Sequence, residues 1–435
     1  MKLSHSGHDA RAESIAAATF ARGTAESSNW ALAVVATLAL TVSYVDRQAL
    51  AAIAPTVKVA LNMNHTHFGW LTSAFSMAYL VGAPLSGILL DKYGARKGLT
   101  TAVLVWSVVA AMQALAPSFA ILFALRIGLG LAESPTFPAA AQTVRRSMPV
   151  RARSFAFGML FTGSSIGAMI AAPLAVTFNR HFGWRAAFVL TSVVGLVWVP
   201  LWLFVSRGAK GPEEEKVLPP DSLFHPQPTP TSIRSLFRLS VVFRALFGIL
   251  CSAPVMLFAI NWAPQYLNEA RHVPQNDVSH YVWMVPLLFD IGSLGFAFAG
   301  SRRDHEAEGS PRKTHWDLLL GAAVLTMAMA FVDRAPGPKS SMFVLGLGTA
   351  GCGGFYALLT ADLMSRVPKE RASTAGGLSA AAQSVTHIVL APLIGKYIDR
   401  TKDFGGMMTM LGMLTLPAVV PYLLAARKER RENLP

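Results

Sequence analysis

Long apolar runs recur along the chain, each of about 18 to 26 residues and each parted from the next by a short polar turn. A helix needs about 20 residues to cross the hydrocarbon core of a bilayer, so every run predicts one crossing. Twelve are expected, over residues 30–57, 68–90, 99–116, 119–144, 154–177, 186–206, 242–267, 281–300, 316–333, 341–364, 374–398 and 405–426. The opening stretch MKLSHSGHDARAES is polar and is not followed by the short apolar core of a cleavable signal. Residues 1–29 and 427–435 are therefore expected as cytoplasmic tails.

The longest polar stretch, RGAKGPEEEKVLPPDSLFHPQPTPTSIRSLFRLS, follows the sixth run and is rich in charge and proline. It predicts a cytoplasmic linker over 207–241 between six-helix bundles at 30–206 and 242–426. The halves echo each other at a constant offset of 219 residues: Pro149, Ser154, Gly158 and Ala172-Pro173-Leu174 correspond to Pro368, Ser373, Gly377 and Ala391-Pro392-Leu393. Parallel repeats with a site between them at mid-membrane are a known secondary-transporter plan. The expected fold is all-α and membrane-integral, with two six-helix bundles related by a pseudo-two-fold axis.

Composition agrees with the pattern. The chain is 53% hydrophobic and only 14% charged, against about 25% charged in soluble domains. A net charge of +14 raises the question of nucleic acid, but most Lys and Arg fall in turns on the side of both termini, as the positive-inside rule requires of cytoplasmic loops. The basic charge thus reads as topology. It predicts a multi-pass protein of the bacterial inner membrane with both termini cytoplasmic, in contact with lipid and not with nucleic acid. Cys251 and Cys352 lie in predicted spans without a CxxC or Cys/His grouping, which points to packing and to no metal. No nucleotide-binding loop or nucleophile arrangement points to an enzyme.

Charge inside the spans is the chemical signal. At mid-bilayer it costs about 2.5–3.5 kcal/mol unless it is paired or faces water. The first span carries Asp46 and Arg47 in SYVDRQAL, and the fourth, FAILFALRIGLGLAESPTFPAAAQTV, carries Arg126 and Glu133. Seven residues is close to two turns, so Arg126 and Glu133 share a helix face about 10 Å apart, whereas adjacent Asp46 and Arg47 diverge by about 100°. One of the latter pair can turn to the fourth span while the other looks into a cavity. An Asp46–Arg126 pair leaves Arg47 free for an anion and Glu133 free to take a proton. At offset 219 the second half has Leu345 and Cys352, so the equivalent helix packs without charge.

Two motifs carry a family resemblance. GILLDKYGARKGL (residues 87–99) follows the pattern found between the second and third spans of the major facilitator superfamily, and GSRRDH from Gly300 to His305 is a worn copy in the second half. Gly87 and Gly94 suit close approach and a tight turn, and Asp91, Arg96 and Lys97 suit capping and pairing of helix ends. Tyr44, Asp46 and Arg47, with Arg126, Gly130, Glu133, Pro135 and Pro138, resemble the anion:cation symporter family of that superfamily. That family includes bacterial sugar-acid transporters, vesicular glutamate transporters and sialin. HFGWRAAFVLT and PLLFDIGS look like its hexuronate branch.

The resemblance implies that Arg47 clamps a substrate carboxylate, that Asp46 and Glu133 carry protons, and that Arg126 pairs with ionised Asp46. It places Tyr79 against the substrate. The second half departs from the family: the eleventh span offers Gln383 and His387 where an Asn is usual, Tyr356 stands for a Trp, and Ser164 or Ser165 for a Gln of the fifth span. These positions are expected to read sugar hydroxyls. His387 is open to substrate binding, proton relay or a structural hydrogen bond, and Asp290 to orienting a hydroxyl or helix partner or to a proton. Asn261 and Gln265, four apart, share a face and suit hydroxyl binding or interhelical contact. The function expected is symport of a sugar acid such as a hexuronate or aldonate by alternating access, by a monomer with protons as coupling ion and no cofactor. Proton-driven export, a voltage-driven anion carrier and a transporter-like sensor are the alternatives.

Overall fold

The protein is known here as a computed structural model, which describes residues 30–148, 150–208, 239–306, 314–367 and 372–432. The expected tail over 1–29, most of the linker, and the repeat residues Pro149 and Pro368 lie outside them. Among the described residues, eleven helices are long and apolar enough to cross a membrane. One of these, Phe155–Val205, is two crossings, because 51 residues of helix would run for about 75 Å. The break is at Gly183, whose φ of 83° lies where a side chain is strained and glycine is not. No longer polar turn is needed.

The twelve membrane helices are α1 (Trp30–Ala52), α2 (His65–Tyr93), α3 (Ala95–Met112), α4 (Phe119–Ser147), α5 (150–182) and α6 (184–205). The second half has α7 (Ser240–Asn261), α8 (Met284–Glu306), α9 (Trp316–Arg334), α10 (Pro338–Arg366), α11 (Ala372–Thr401) and α12 (Phe404–Glu429). Helices satisfy their own backbone hydrogen bonds, which lipid cannot do. The expected turn between α2 and α3 shrinks to Gly94, whose N–H returns to the Leu90 carbonyl. Arg96, in the first turn of α3, donates from Nε to Ser206 Oγ at the end of α6, 3.0 Å away. Lys97 is exposed and the Asp91 side chain lies outside the described residues. The repeat register survives folding: Pro173 and Pro392 both sit inside long helices.

Three apolar cores hold the molecule. One lies within the first bundle around Leu99, Trp106, Leu129 and Trp202, and one within the second around Ile249, Phe355, Leu359 and Tyr422. The third joins the bundles at one end, from Ile53, Phe68 and Phe188 across to Phe258, Trp262 and Met408. There α2 and α11 cross almost backbone to backbone. A Cβ on Gly395 would stand 2.2 Å from the His65 carbonyl oxygen, and one on Gly69 would stand 2.3 Å from that of Ala391. Ser73 Oγ donates to the Ile388 carbonyl across the same crossing. At the other end of these helices, nothing lies within 4 Å of a Cβ built on Gly87 or Gly377. The bundles therefore meet at the end that begins α2 and spread toward the Gly94 turn.

Because the obstacle at Gly395 is backbone, Gly395→Ala should hold this end apart. Spin labels at exposed Asn62 and Lys402, in a background with both native cysteines replaced, should report a longer distance in the variant. An unchanged distance would contradict the crossing.

Candidate functional site

The site begins where α1, α2 and α4 converge. On α4, Leu122, Arg126, Leu129, Gly130 and Glu133 are buried, a spacing that defines one helical face. Gly130 lets that face press on α2: a Cβ there would stand 2.4 Å from the Phe75 carbonyl oxygen. Past Glu133 the helix is interrupted and restarts at Thr136, after Pro135. On α1, Ser43 and Arg47 are four apart and face α4 together. Ser43 Oγ donates to Glu133 Oε2 at 2.9 Å. Arg47 donates to the same oxygen from Nε at 3.2 Å and from one terminal nitrogen at 3.0 Å. Glu133 is fully buried, whereas the Arg47 side chain keeps 20% of its surface open.

The structure changes the expected pairing. Asp46, not Arg47, turns away from α4: its carboxyl faces Trp106 of α3 and Thr191 of α6, and neither oxygen accepts a hydrogen bond among the described residues. The Asp46–Arg126 pair is therefore not formed. Arg126 is buried with Nε and one terminal nitrogen unpartnered, and its guanidinium lies 5.1 Å from the centre of the Phe75 ring. Nor is Arg47 unengaged, since it holds Glu133. The reason is rotational. Close packing of α5 on α1, where a Cβ at Gly167 would stand 2.7 Å from Tyr44 Cβ, sets which of the two adjacent charges meets α4.

Around Arg47 the expected Tyr44 and Tyr79 assemble, joined by Phe75, which was not expected. Its guanidinium lies 4.6 Å from the ring centre of Tyr44, 4.6 Å from that of Phe75 and 5.2 Å from that of Tyr79. From the second half, His387 of α11 is near enough to feel the Arg47 charge, with a buried Nε2 that has no partner among the described residues. Tyr356 of α10 lies within electrostatic reach of Tyr44. Gln383 is half-buried one turn from His387. Ser165, rather than the neighbouring half-buried Ser164, reaches across the bundles and donates to Asp290 Oδ1 of α8 at 2.8 Å. A small recess bordered by Gln48, Ala168, Ile260, Val285 and Pro286 continues between the bundles.

Asn261 and Gln265 do not join this cluster. The helix breaks at Trp262 between them, and their amides donate to the Leu257 and Asn261 carbonyls of their own segment. Four residues of the site carried too little sequence signal to be found: Ser43, Phe75, Trp106 and Thr191. A serine or an aromatic residue is unremarkable in an apolar span, although Phe75 stands one helical turn before Tyr79.

A second polar cluster closes the end where the bundles meet. His65, at the start of α2, contacts Glu269 Oε2 through Nε2 and Asp399 Oδ1 through Nδ1, both at 2.8 Å. Lys58 Nζ donates to Glu269 Oε1 at 2.6 Å. Asp399, at the end of α11, also accepts from the His65 and Thr66 backbone N–H groups and from Thr66 Oγ1. The free N–H groups of one bundle's helix are thus capped by a carboxylate of the other, which the helix dipole favours. Burial alone would push the Glu269 carboxyl up, but the His65 hydrogen bond and the Lys58 charge outweigh it and hold it below its usual range. Burial lowers the Lys58 ammonium, with Glu269 partly restoring it. Glu269 is held by hydrogen bonds from both partners.

Residues 36–391 match the family model described as Major Facilitator Superfamily. The chain is similar to the hexuronate transporter of Bacillus subtilis (26% identical, covering 87% of this chain and 90% of that one). It is also similar to the hexuronate transporter of Escherichia coli (25%, covering 89% and 91%) and to the probable galactarate/D-glucarate transporter of Bacillus subtilis (24%, covering 92% of each). Among solved structures, a bacterial homolog of the human lysosomal transporter Spinster shares the fold at a TM-score of 0.75 and 14% identity, covering 94% of this chain and 99% of that one.

Removing the Glu269 charge leaves Lys58 buried without its counter-ion, at a cost of about 2 kcal/mol after allowance for partial exposure. Glu269→Gln should therefore raise the labelling rate of a cysteine placed at Ser73, in the same cysteine-free background. By linkage, a carboxyl held below its usual range stabilises closure above that range and loses the effect as pH falls through the lowered value. Acid below the usual carboxylate range should therefore raise labelling in the natural protein more than in Glu269→Gln, and equal responses would contradict the assignment.

Proposed function

This chain belongs to the Major Facilitator Superfamily, and on that footing we propose that it is a proton-coupled symporter that imports a sugar acid of the hexuronate or aldonate type. The observation that carries the reading is the shared contact of Arg47 and Glu133. A guanidinium presents a planar, always charged fork suited to a carboxylate. Arg47 is the partly open cation of the site, with 20% of its side chain exposed, whereas Arg126 is buried.

When a substrate carboxylate takes Arg47, Glu133 loses its counter-ion. An unpaired buried charge of this kind costs about 3–5 kcal/mol. Taking a proton removes that cost, so anion and proton enter together. Releasing both lets Arg47 fall back on Glu133, which neutralises the empty site and permits the return step. Asp46 is a second proton carrier in this reading, screened from the cavity behind α1, and Arg126 supplies the positive field that keeps Glu133 from being protonated too readily. Tyr44, Tyr79, Tyr356, Gln383, His387 and the Ser165–Asp290 pair supply hydrogen-bonding groups to the hydroxyl-bearing part of the sugar acid.

Relatives named as hexuronate and galactarate/D-glucarate transporters support the substrate class. With the basic turns on the cytoplasmic side, the Gly94 end faces the cytoplasm and the cavity opens inward. We place the chain in a bacterial inner membrane as a monomer with both termini cytoplasmic, the linker joining bundles at 30–206 and 242–426.

In proteoliposomes, an inward proton gradient should accelerate uptake of labelled galacturonate, glucuronate or galactonate; uptake of all three indifferent to the gradient contradicts symport. Glu133→Gln should exchange substrate across the membrane yet lose gradient-driven accumulation. Arg47→Ala should lose sugar-acid binding by about 100-fold, the worth of a charged hydrogen-bonded contact of about 3 kcal/mol.

A further inference from the structure

Phe75 has no place in the charge exchange described above, yet both arginines of the site rest on it. Its ring centre is 4.6 Å from the Arg47 guanidinium and 5.1 Å from that of Arg126. Among the described residues it is the ring that carries two guanidinium groups, whereas Tyr44 and Tyr79 carry Arg47 alone. It is 6% exposed and stacks on Tyr79 with ring centres 5.9 Å apart. Its backbone is pinned by Gly130 of α4, where no Cβ would fit.

A guanidinium over an aromatic face is attracted by the negative potential of the ring, and more strongly when it is desolvated. That attraction matters most for Arg126, whose Nε and one terminal nitrogen have no hydrogen-bond partner among the described residues. For Arg47 the ring sets direction. Glu133 pulls the guanidinium toward α4, while Phe75, Tyr44 and Tyr79 hold it in place after Glu133 lets go.

We propose that Phe75 is a positioning residue for transport: its ring is the common support that keeps Arg47 aimed at the substrate carboxylate and Arg126 in place beside Glu133. The proposal rests on the reading of Arg47 as the carboxylate site. It makes the negative face of the ring, and not only its bulk, necessary for coupling.

The test replaces Phe75 by mono-, di- and trifluorophenylalanine through nonsense suppression. Fluorination keeps the shape of the ring, so folding is not at issue, while the negative potential of its face falls step by step. The apparent KM for gradient-driven sugar-acid uptake should rise stepwise, by about tenfold at the trifluoro ring, equivalent to about 1.4 kcal/mol, with turnover nearly constant. The ratio of gradient-driven uptake to substrate exchange should fall in parallel, because Arg126 leans on the same ring. A flat KM series, or a KM that rises while the ratio holds, overturns the shared support. Arg47→Ala separates the two claims. If that variant binds sugar acid normally, the carboxylate reading fails; if it loses binding while the fluorine series is flat, only the role of Phe75 fails.

Discussion

Glu133 is a carboxylate buried in the membrane interior, where an unpaired charge is costly, and its partner is Arg47. The pair spans α1 and α4, and the packing around it serves to make it meet. Gly130 brings α4 against α2, Ser43 adds a hydrogen bond from the turn before Arg47, and three aromatic rings hold the guanidinium on its other sides. The pair is exposed on one partner only. On the proposed reading an anion reaches the cation without water reaching the carboxylate, and this asymmetry would link one binding event to the other.

The second constraint is geometric. Bundles of six helices can exchange access only if their contacts are good at one end and dispensable. The contacts here fit that demand: two glycines permit a close crossing of α2 and α11, and Asp399 caps the start of α2 from the opposite bundle. Caps and ion pairs of this kind are lost and remade as units, unlike a continuous apolar core. The inter-bundle core at Phe68 and Trp262, whose rings meet edge to face at 5.4 Å, supplies bulk to the same closure.

Much of this architecture was legible in the sequence, because span length and the cost of intramembrane charge are strong signals. The twelve crossings, the two-bundle plan and the gathering of charge on α1 and α4 follow from them, whereas Tyr44 and Tyr79 came from the family resemblance. Which acid pairs with which base did not follow. Adjacent residues on a helix diverge by a known angle, but the absolute rotation of α1 is set by its packing on α5, which no spacing reveals. The break at Gly183 was hidden for a similar reason, since one glycine replaces the polar turn that residues 178–185 suggested. Lys58, His65, Glu269 and Asp399 stand at helix ends, where charge ordinarily marks topology, and their meeting across the bundles depends on tertiary structure alone. Asn261 and Gln265 share a face by count, yet a helix break and bonds to their own backbone remove them from the site.

The central claim is that anion and proton exchange places on the Arg47–Glu133 pair. It is tested most directly by proton uptake on substrate binding in weakly buffered detergent solution, followed with a pH indicator as galacturonate is added. The account predicts uptake of a proton with each sugar acid bound, and binding without that uptake in Glu133→Gln. Saturable binding to the natural protein with no change in proton content would contradict it.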